Sequence, residues 1–260
     1  MPETEENSQR PFIVDCNQLK TTAALGWLSK GWSDFKAAPK HSLAYGGVIF
    51  ILSWIITLTA WNYHSITLAI ILISGFIFIA PVMSIGLYSI ARQIKRGHKP
   101  QLKLSFAHGC TAYSDLLIYA GVLMIIFLIW VRAASMIHVF FPTKANPEIG
   151  DLLLFLGIGS VVGSIFAAIT FSASAFSLPM LMDKKVDMIT AVVSSINAVL
   201  RNKSAIFFWV VLIVLLLFLC LVTAFLGFLI VMPLLGYASW HAYRDTMNDT
   251  SWPDREFKVD

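Results

Sequence analysis

The residue with the clearest potential for chemistry in this sequence is Arg132, a cation inside a long run of apolar residues. That run contains no carboxylate to neutralise it. A charged side chain near the centre of a membrane helix costs about 2.5–3.5 kcal/mol on insertion scales. Three interpretations follow: the guanidinium snorkels to lipid phosphates, it bonds to carbonyls at a helix end, or it binds an anion, lipid or substrate. Snorkelling is the simplest of the three.

Histidines are the next candidates, because haem irons and metals take imidazole ligands. Only His138 and His241 lie in apolar runs, and the predicted topology places them near opposite membrane faces. His64 and His138 are expected on the same side, where the pair would suit one metal or haem edge. Interfacial histidines are the simpler reading, so we expect no cofactor and no metal site. The sequence contains no P-loop, Ser/His/Asp or HExxH pattern, and we expect a protein that is not an enzyme.

The elements that must position these residues are six long apolar stretches, each about long enough to cross a bilayer as a helix. Hydrophobic residues make up 57% of the sequence and charged residues 13%, a composition that no soluble domain can cover with a polar surface. The sequence therefore predicts an all-α polytopic membrane protein with six transmembrane helices. They are expected at residues 42–61, 66–90, 116–141, 152–177, 206–226 and 228–243.

Three prolines and one glycine pair stand out within or beside these stretches. Pro81, Pro179 and Pro233 are candidate helix kinks, and each would either bend its helix or free carbonyl groups at a cavity. Gly159 and Gly163 form a GxxxG spacing that lets helices approach closely, within the chain or between two copies of it. The apolar stretches contain no Asp or Glu, which argues against proton-coupled transport through a buried carboxylate.

Lysines and arginines occur before the first stretch and between alternate stretches, whereas the other loops are nearly free of them. By the positive-inside rule, both termini are cytoplasmic. The net charge of +4 is then explained by anionic lipid headgroups at the cytoplasmic face, and no nucleic-acid partner is expected. Residues 1–18 and 249–260 are polar and are predicted to be mobile tails around a membrane domain at 19–248.

The basic connectors also predict amphipathic helices on the cytoplasmic side, either lying in the interface or packing under the bundle. Their apolar stripes are Leu25, Leu28, Trp32 and Phe35 in the first, Leu102, Phe106, Cys110 and Tyr113 in the second, and Met188, Val192, Ile196 and Val199 in the third. Asp187 is a candidate N-cap for the third. Each connector precedes two spans, which suggests three repeats, at residues 20–98, 100–183 and 184–248.

A direct comparison supports kinship of the first and third repeats. Counted from Gly75 and from Gly227, the two units match at equal offsets. The matched positions are Pro81 with Pro233, Tyr88 with Trp240, and Arg92 with Arg244.

Three motifs carry a resemblance to a known family: GWSDFKAAP at 31–39, SLPMLMD at 177–183 and PLLGYASWHAYRD at 233–245. With these, the chain resembles a bacterial inner-membrane family with a domain of unknown function, described as predicted integral membrane proteins. The resemblance implies the bacterial inner membrane and about six spans, and it supplies no catalytic residues.

The sequence thus favours a non-catalytic inner-membrane protein that is an accessory, scaffold or assembly partner of a membrane complex. A transporter of small molecules or lipids is the alternative, with Arg132 and the proline-interrupted helices as working parts. A haem- or metal-bearing respiratory subunit is a third hypothesis. The lipid bilayer is one partner, and a membrane protein or a second copy of the chain is another.

Overall fold

The computed structural model describes residues 12–64, 72, 84–101, 113–140 and 149–255. Regular structure in these residues is helical, as the sequence predicts. The helices are α1 (Ala23–Ala37), α2 (Pro39–Asn62), α3 (Ile85–Lys95), α4 (Tyr113–Phe140), α5 (Ile149–Ser174), α6 (Ser177–Asp183), α7 (Met188–Arg201), α8 (Lys203–Val222) and α9 (Phe228–Thr246).

Four helical segments of the described residues have the length and composition of membrane spans: α2, α4, the run through α5 and α6, and α8. Large apolar side chains on all of them are more than half exposed, for example Ile51, Ile125, Leu153 and Phe218. In water this surface would be strongly unfavourable, whereas lipid tails cover it readily.

The predicted count of six spans is not reached in the described residues. The second predicted span lies largely outside them, and its described end belongs to α3. The sixth forms α9, whose last turns carry His241, Arg244 and Asp245 and whose side chains are largely buried by other helices. Because of that polar end, α9 is not among the four apolar spans, and the remaining two stay a prediction.

Helix α9 packs lengthwise against α1 and α2. Its partners run in reverse order, since Asp245 pairs with Lys30, His241 with Asp34 and Tyr237 with Ser42. The first two helices therefore form an antiparallel surface for α9.

Glycines allow this antiparallel contact to be close. A methyl group on Gly46 would lie 2.4 Å from the carbonyl oxygen of Leu229, and one on Gly31 would lie 3.0 Å from the backbone of Ala238. Small residues at such positions let helix backbones approach within van der Waals contact.

On its other side, α9 packs beside α3. Gly236 leaves room for Leu87, whose Cδ1 would lie 2.5 Å from a Cβ at that glycine. The rings of Tyr88 and Trp240 stack with centroids 6.5 Å apart. These rings occupy matching positions in the proposed first and third repeats, so the two units lie side by side here. Pro81 lies outside the described residues, and the repeat itself stays a prediction.

Helix α7 begins as predicted at Asp187, whose carboxylate accepts a hydrogen bond from the Thr190 N–H at 2.9 Å. Its fully buried face consists of small and hydroxyl residues: Thr190, Ala191, Ser194, Ser195 and Ala198. In the predicted apolar stripe, Met188, Val192 and Val199 are partly buried against the core, and Ile196 is exposed. The small residues are buried because α7 packs across the ends of neighbouring helices, where its hydroxyls bond to backbone groups.

Helix α1 matches its predicted stripe only in part. Phe35 is buried and Leu28 packs against the core, whereas Leu25 and Trp32 are exposed. Trp27, Gly31 and Asp34 are also buried. Tight packing against α9 selects the face with Gly31, because larger side chains would hold the helices apart. The predicted second amphipathic stripe falls on residues outside the described part, apart from the backbone at Tyr113.

The described parts of both predicted tails are held in place. The Asn17 N–H donates to the Thr246 carbonyl at 2.8 Å, and the Asn248 N–H donates to the Asp15 carbonyl at 2.9 Å. Val14 and Trp252 are buried. Residues 12–18 and 249–255 thus have backbone partners at the end of α9, and Val14 and Trp252 enter the core, while the mobility of the tails stays a prediction.

Candidate functional site

A cluster of charged side chains lies where the ends of α3, α6 and α9 meet. We call Arg92, Asp183, Lys184, Arg244 and Asp249 the ionic cluster. At its centre, Asp183 Oδ1 lies 3.0 Å from Arg92 Nε and Asp183 Oδ2 lies 2.8 Å from Arg244 Nη1. Only 3% of the Arg92 side chain and 7% of the Asp183 side chain are exposed. One buried carboxylate thus joins three helix ends.

Local sequence explains why the two arginines reach this point. Arg92 lies in the last turn of α3 and Arg244 in the last turn of α9. Cations are favoured at helix C-termini, where carbonyl groups lack intrahelical partners. Helix α6 is buried along its whole length and brings Asp183 to the same place. The proposed repeat aligns Arg92 with Arg244, and in the structure both contact one carboxylate.

Backbone carbonyls complete the surroundings of Arg92. Its Nη2 donates to the Arg255 carbonyl at 2.9 Å. Longer contacts of 3.4 Å join the guanidinium to the carbonyls of Met182 and Asp183. The buried guanidinium is tolerated because these carbonyls accept from its Nη atoms and Asp183 balances its charge.

A second carboxylate, Asp249, enters the ionic cluster from the segment after α9. It accepts a hydrogen bond from the Tyr243 hydroxyl. Its Oδ2 lies 3.5 Å from Arg244 Nη1, and its Oδ1 lies 3.8 Å from Lys184 Nζ. Only 5% of the Asp249 side chain is exposed.

The segment at 247–255, which we call the C-terminal strap, covers the ionic cluster. Its backbone is tied to the start of the α6–α7 connection, since the Lys185 N–H donates to the Pro253 carbonyl at 3.0 Å and the Arg255 N–H to the Asp183 carbonyl at 2.8 Å. Asp254 pairs with Lys184 at 2.8 Å and with Arg96 at 3.0 Å. Arg255 reaches Asp115 of α4 at 2.9 Å.

The pKa values in the cluster follow burial and charge. Burial lowers the pKa of Arg92 to about 10, and the nearby Asp183 offsets part of that effect. For Arg244, burial also acts downward, but Asp249 and Asp183 outweigh it and raise the pKa. A hydrogen bond from Lys184 lowers the pKa of Asp254. Both arginines are therefore cations, and Asp254 is an anion, at neutral pH.

A second polar row follows α9 on the side facing α1 and α2. Asp245 accepts from Trp27 Nε1 at 3.1 Å and pairs with Lys30 at 2.9 Å. His241 Nε2 lies 2.8 Å from an Asp34 carboxylate oxygen. This row accounts for His241 as a partner of a carboxylate, which the sequence alone did not suggest.

Arg132 is exposed on α4. Within the described part of the chain it lies apart from the ionic cluster. Snorkelling of its guanidinium to lipid phosphates stays a prediction. His138 lies in α4, and its side chain is outside the described atoms. His64 is exposed, with Nδ1 3.1 Å from the Asn62 carbonyl.

The other predicted residues fall within helix packing. Pro179 and Pro233 are buried in α6 and α9. Gly159 and Gly163 are half-buried, and the indole nitrogen of Trp130 lies 4.0 Å from where a Cβ of Gly163 would be. Gly163 thus lies at the contact of α5 with α4, whereas a Cβ at Gly159 would have none of the described atoms within 4 Å.

The structure brings together charged residues that sequence reasoning did not select. Asp183 and Asp249 lie outside the longest apolar runs and read as loop charges. One signal was available, because the repeat comparison pairs Arg92 with Arg244 and so marks a shared position. In the part of the chain that the structure describes, no group of three or more His, Cys, Asp or Glu is arranged to hold a metal.

Comparison with known proteins identifies one family. No curated protein and no solved structure matches the chain. Residues 67–183 match the family model described as "Predicted integral membrane protein (DUF2189)", which confirms the resemblance over that range. The matched residues include Arg92 and Asp183 but end before Arg244 and Asp249. Over residues 67–183, therefore, the chain is similar to the DUF2189 family of predicted integral membrane proteins.

Proposed function

We propose that this protein is a non-catalytic accessory, scaffold or assembly partner of a membrane complex in the bacterial cytoplasmic membrane. The observation that carries this proposal is the exposure of α4 and α5. In the described run through α5 and α6, no part of the most apolar stretch is buried within the protein. In α4, only 11% of the most apolar stretch is buried. These two helices contact each other and offer most of their remaining surface to the bilayer.

One exposed face of α5 has the composition that favours contact with another membrane helix. Ser160, Ser164 and Ala167 are exposed at helical spacing. Lipid tails are as apolar as leucine, so helices associate in membranes through close packing of small residues and hydrogen bonds. The proposed occupant of this face is a transmembrane helix of another protein.

The charged residues support a non-catalytic role in a different way. In the described residues, the buried charges of the ionic cluster pair with one another across helix ends. Such an arrangement fixes the relative positions of α3, α6 and α9. A rigid base of this kind suits a protein that presents a helical surface to a partner.

Crosslinking tests the proposed surface directly. A photoreactive amino acid at Ser164 is expected to crosslink to a partner protein in cells, whereas the same group at Phe218, exposed on α8, serves as the matched control. Ser164→Leu should remove the co-purifying partner without changing helix content. Crosslinks to lipid alone, with a purified protein that runs as a monomer, would contradict the proposal. A crosslinked dimer of the chain itself would redirect it to self-assembly.

The proposed orientation places both termini in the cytoplasm. The two ends support it by lying together, since Cys16 and Met247 form an isolated antiparallel bridge, and basic loops favour the cytoplasmic side. Reporter fusions at His98 and Lys185 should score inside, and a fusion at Tyr63 should score outside. One fusion on the wrong side would reject this topology.

Transport of a small molecule or lipid remains a second candidate because of a break between α5 and α6. At the break, the buried Phe176 N–H donates to Ser195 Oγ at 3.1 Å. The buried hydroxyl of Tyr119 lies beside those of Ser174 and Ser177. Broken helices with polar groups line the substrate sites of many transporters. Flux into proteoliposomes that Tyr119→Phe abolishes would favour transport over scaffolding.

A further inference from the structure

The C-terminal strap places two carboxylates on basic side chains that belong to the rest of the bundle. Asp254 contacts Arg96 at 3.0 Å and Lys184 at 2.8 Å. Asp249 contacts Arg244 at 3.5 Å. The strap thus contributes the negative charge, and α3, α9 and the residue after α6 contribute the positive charge.

The space that the strap covers is called the cleft. Without the strap, the charges that line the cleft would be out of balance. Among the described residues, four cations would then face the cleft with a single carboxylate, Asp183. These cations are Arg92, Arg96, Lys184 and Arg244. Two of these cations are deeply placed, with 3% of the Arg92 side chain and 8% of the Lys184 side chain exposed. Buried cations require anionic partners, because an unpaired buried charge is strongly unfavourable.

The basic groups are also of the kind that binds phosphate. A guanidinium presents paired N–H donors that match two phosphate oxygens, and a lysine adds a compact positive charge. Each carboxylate of the strap occupies a position between two cations: Asp254 lies between Arg96 and Lys184, and Asp249 lies near Arg244 and Lys184. A phosphate group offers the same charge with more acceptor oxygens.

We propose that this cleft is a binding site for a phosphate anion, and that Asp249 and Asp254 of the C-terminal strap occupy it in the present structure. The ligand is either a phosphate of a lipid headgroup or a free phosphate. The strap then acts as an internal competitor, and ligand binding displaces its carboxylates from Arg96, Lys184 and Arg244.

Removing the negative charges of the C-terminal strap tests this site. The variant Asp249→Asn/Asp254→Asn keeps the strap but removes its charges. An internal competitor lowers the apparent affinity for phosphate in proportion to the fraction of molecules in which the site is open. The variant should therefore bind phosphate at least about tenfold more tightly than the wild type. Asp245→Asn is the matched control, since Asp245 pairs with Lys30 away from the cleft and its loss should leave affinity unchanged.

Two probes separate the sources of the phosphate. Inorganic phosphate is titrated calorimetrically into the full-length protein in detergent, and lipid is measured by native mass spectrometry after incubation with phosphatidylglycerol or phosphatidylcholine. Tighter binding of inorganic phosphate by the variant would identify the ligand as a free phosphate anion. Retention of phosphatidylglycerol over phosphatidylcholine, without tighter inorganic phosphate, assigns a lipid headgroup.

Further variants keep the test decisive. Adding Arg96→Gln and Lys184→Gln to the variant Asp249→Asn/Asp254→Asn should abolish its tighter binding of phosphate. If the double Asp variant does not fold, Asp254→Asn alone is used, because 55% of that side chain is exposed. The proposal would be overturned if the wild type and Asp249→Asn/Asp254→Asn bound both probes with equal affinity. It would also be overturned if the tighter binding persisted after Arg96 and Lys184 were replaced.

Discussion

Asp183→Asn is the sharpest test of how the helix ends are held together. The substitution preserves size but removes the charge that faces Arg92 at 3.0 Å and Arg244 at 2.8 Å. Breaking a buried ion pair by removing one partner costs about 3–5 kcal/mol, because the remaining charge stays buried. Arg92 keeps its hydrogen bond to the Arg255 carbonyl, so we expect a loss of about 3 kcal/mol, at the lower end of that range.

The assay is an unfolding titration of the purified protein in mixed micelles, followed by circular dichroism. Asp245→Asn on α9 provides the control, because its partner Lys30 is 49% exposed and exposed pairs contribute about 0–1 kcal/mol. Arg92→Met removes the buried charge itself, so Asp183→Asn should cost less in that background. Equal losses for Asp183→Asn and Asp245→Asn, or full additivity with Arg92→Met, would refute the reasoning.

Three further outcomes follow from the structure. Gly46→Ala should destabilise the protein by about 1–3 kcal/mol, because its methyl group would meet the backbone of α9, whereas Gly47→Ala, with open space around it, should be nearly neutral in the same titration. Arg132→Leu should insert and fold at least as well as the wild type, since it removes an exposed cation from an apolar helix; a lower yield or melting midpoint would contradict this. The lowered pKa of Asp254 means that its contribution to stability is present above pH 3.8 and is lost as pH falls further, so a pH series of melting midpoints should show a smaller acid loss for Asp254→Asn.

Apolar composition and helical length made the class of fold predictable from sequence. Helices α2, α4, α5 and α8 coincide with long apolar stretches, because backbone groups in lipid must be satisfied within the helix itself. The faces of α1 and α7 were less predictable. The sequence pattern selects large apolar side chains as the buried face, yet close packing against neighbouring helices buried Gly31 in one and Ser194 in the other.

The candidate site was predictable only in fragments. Arg132 stood out because its stretch lacks a counter-charge, and it lies away from the ionic cluster. Asp183 and Asp249 are separated by many residues, and only the convergence of helix ends brings them near Tyr243. Sequence periodicity reports which face of one helix is apolar, but it carries no information on which helix ends meet.

The distribution of charge also explains how α9 can be both polar at its end and buried. Its last turns carry His241, Arg244 and Asp245, and each has a partner of opposite charge or a hydrogen-bonding carboxylate on another element. Removing those partners would leave α9 with charges that the bilayer disfavours. Helices α4 and α5 depend less on such partners, because most of their large exposed side chains are apolar. The ionic end should therefore set the cooperative stability of the protein, and the α4–α5 pair should open at lower free energy, consistent with a surface kept for a partner.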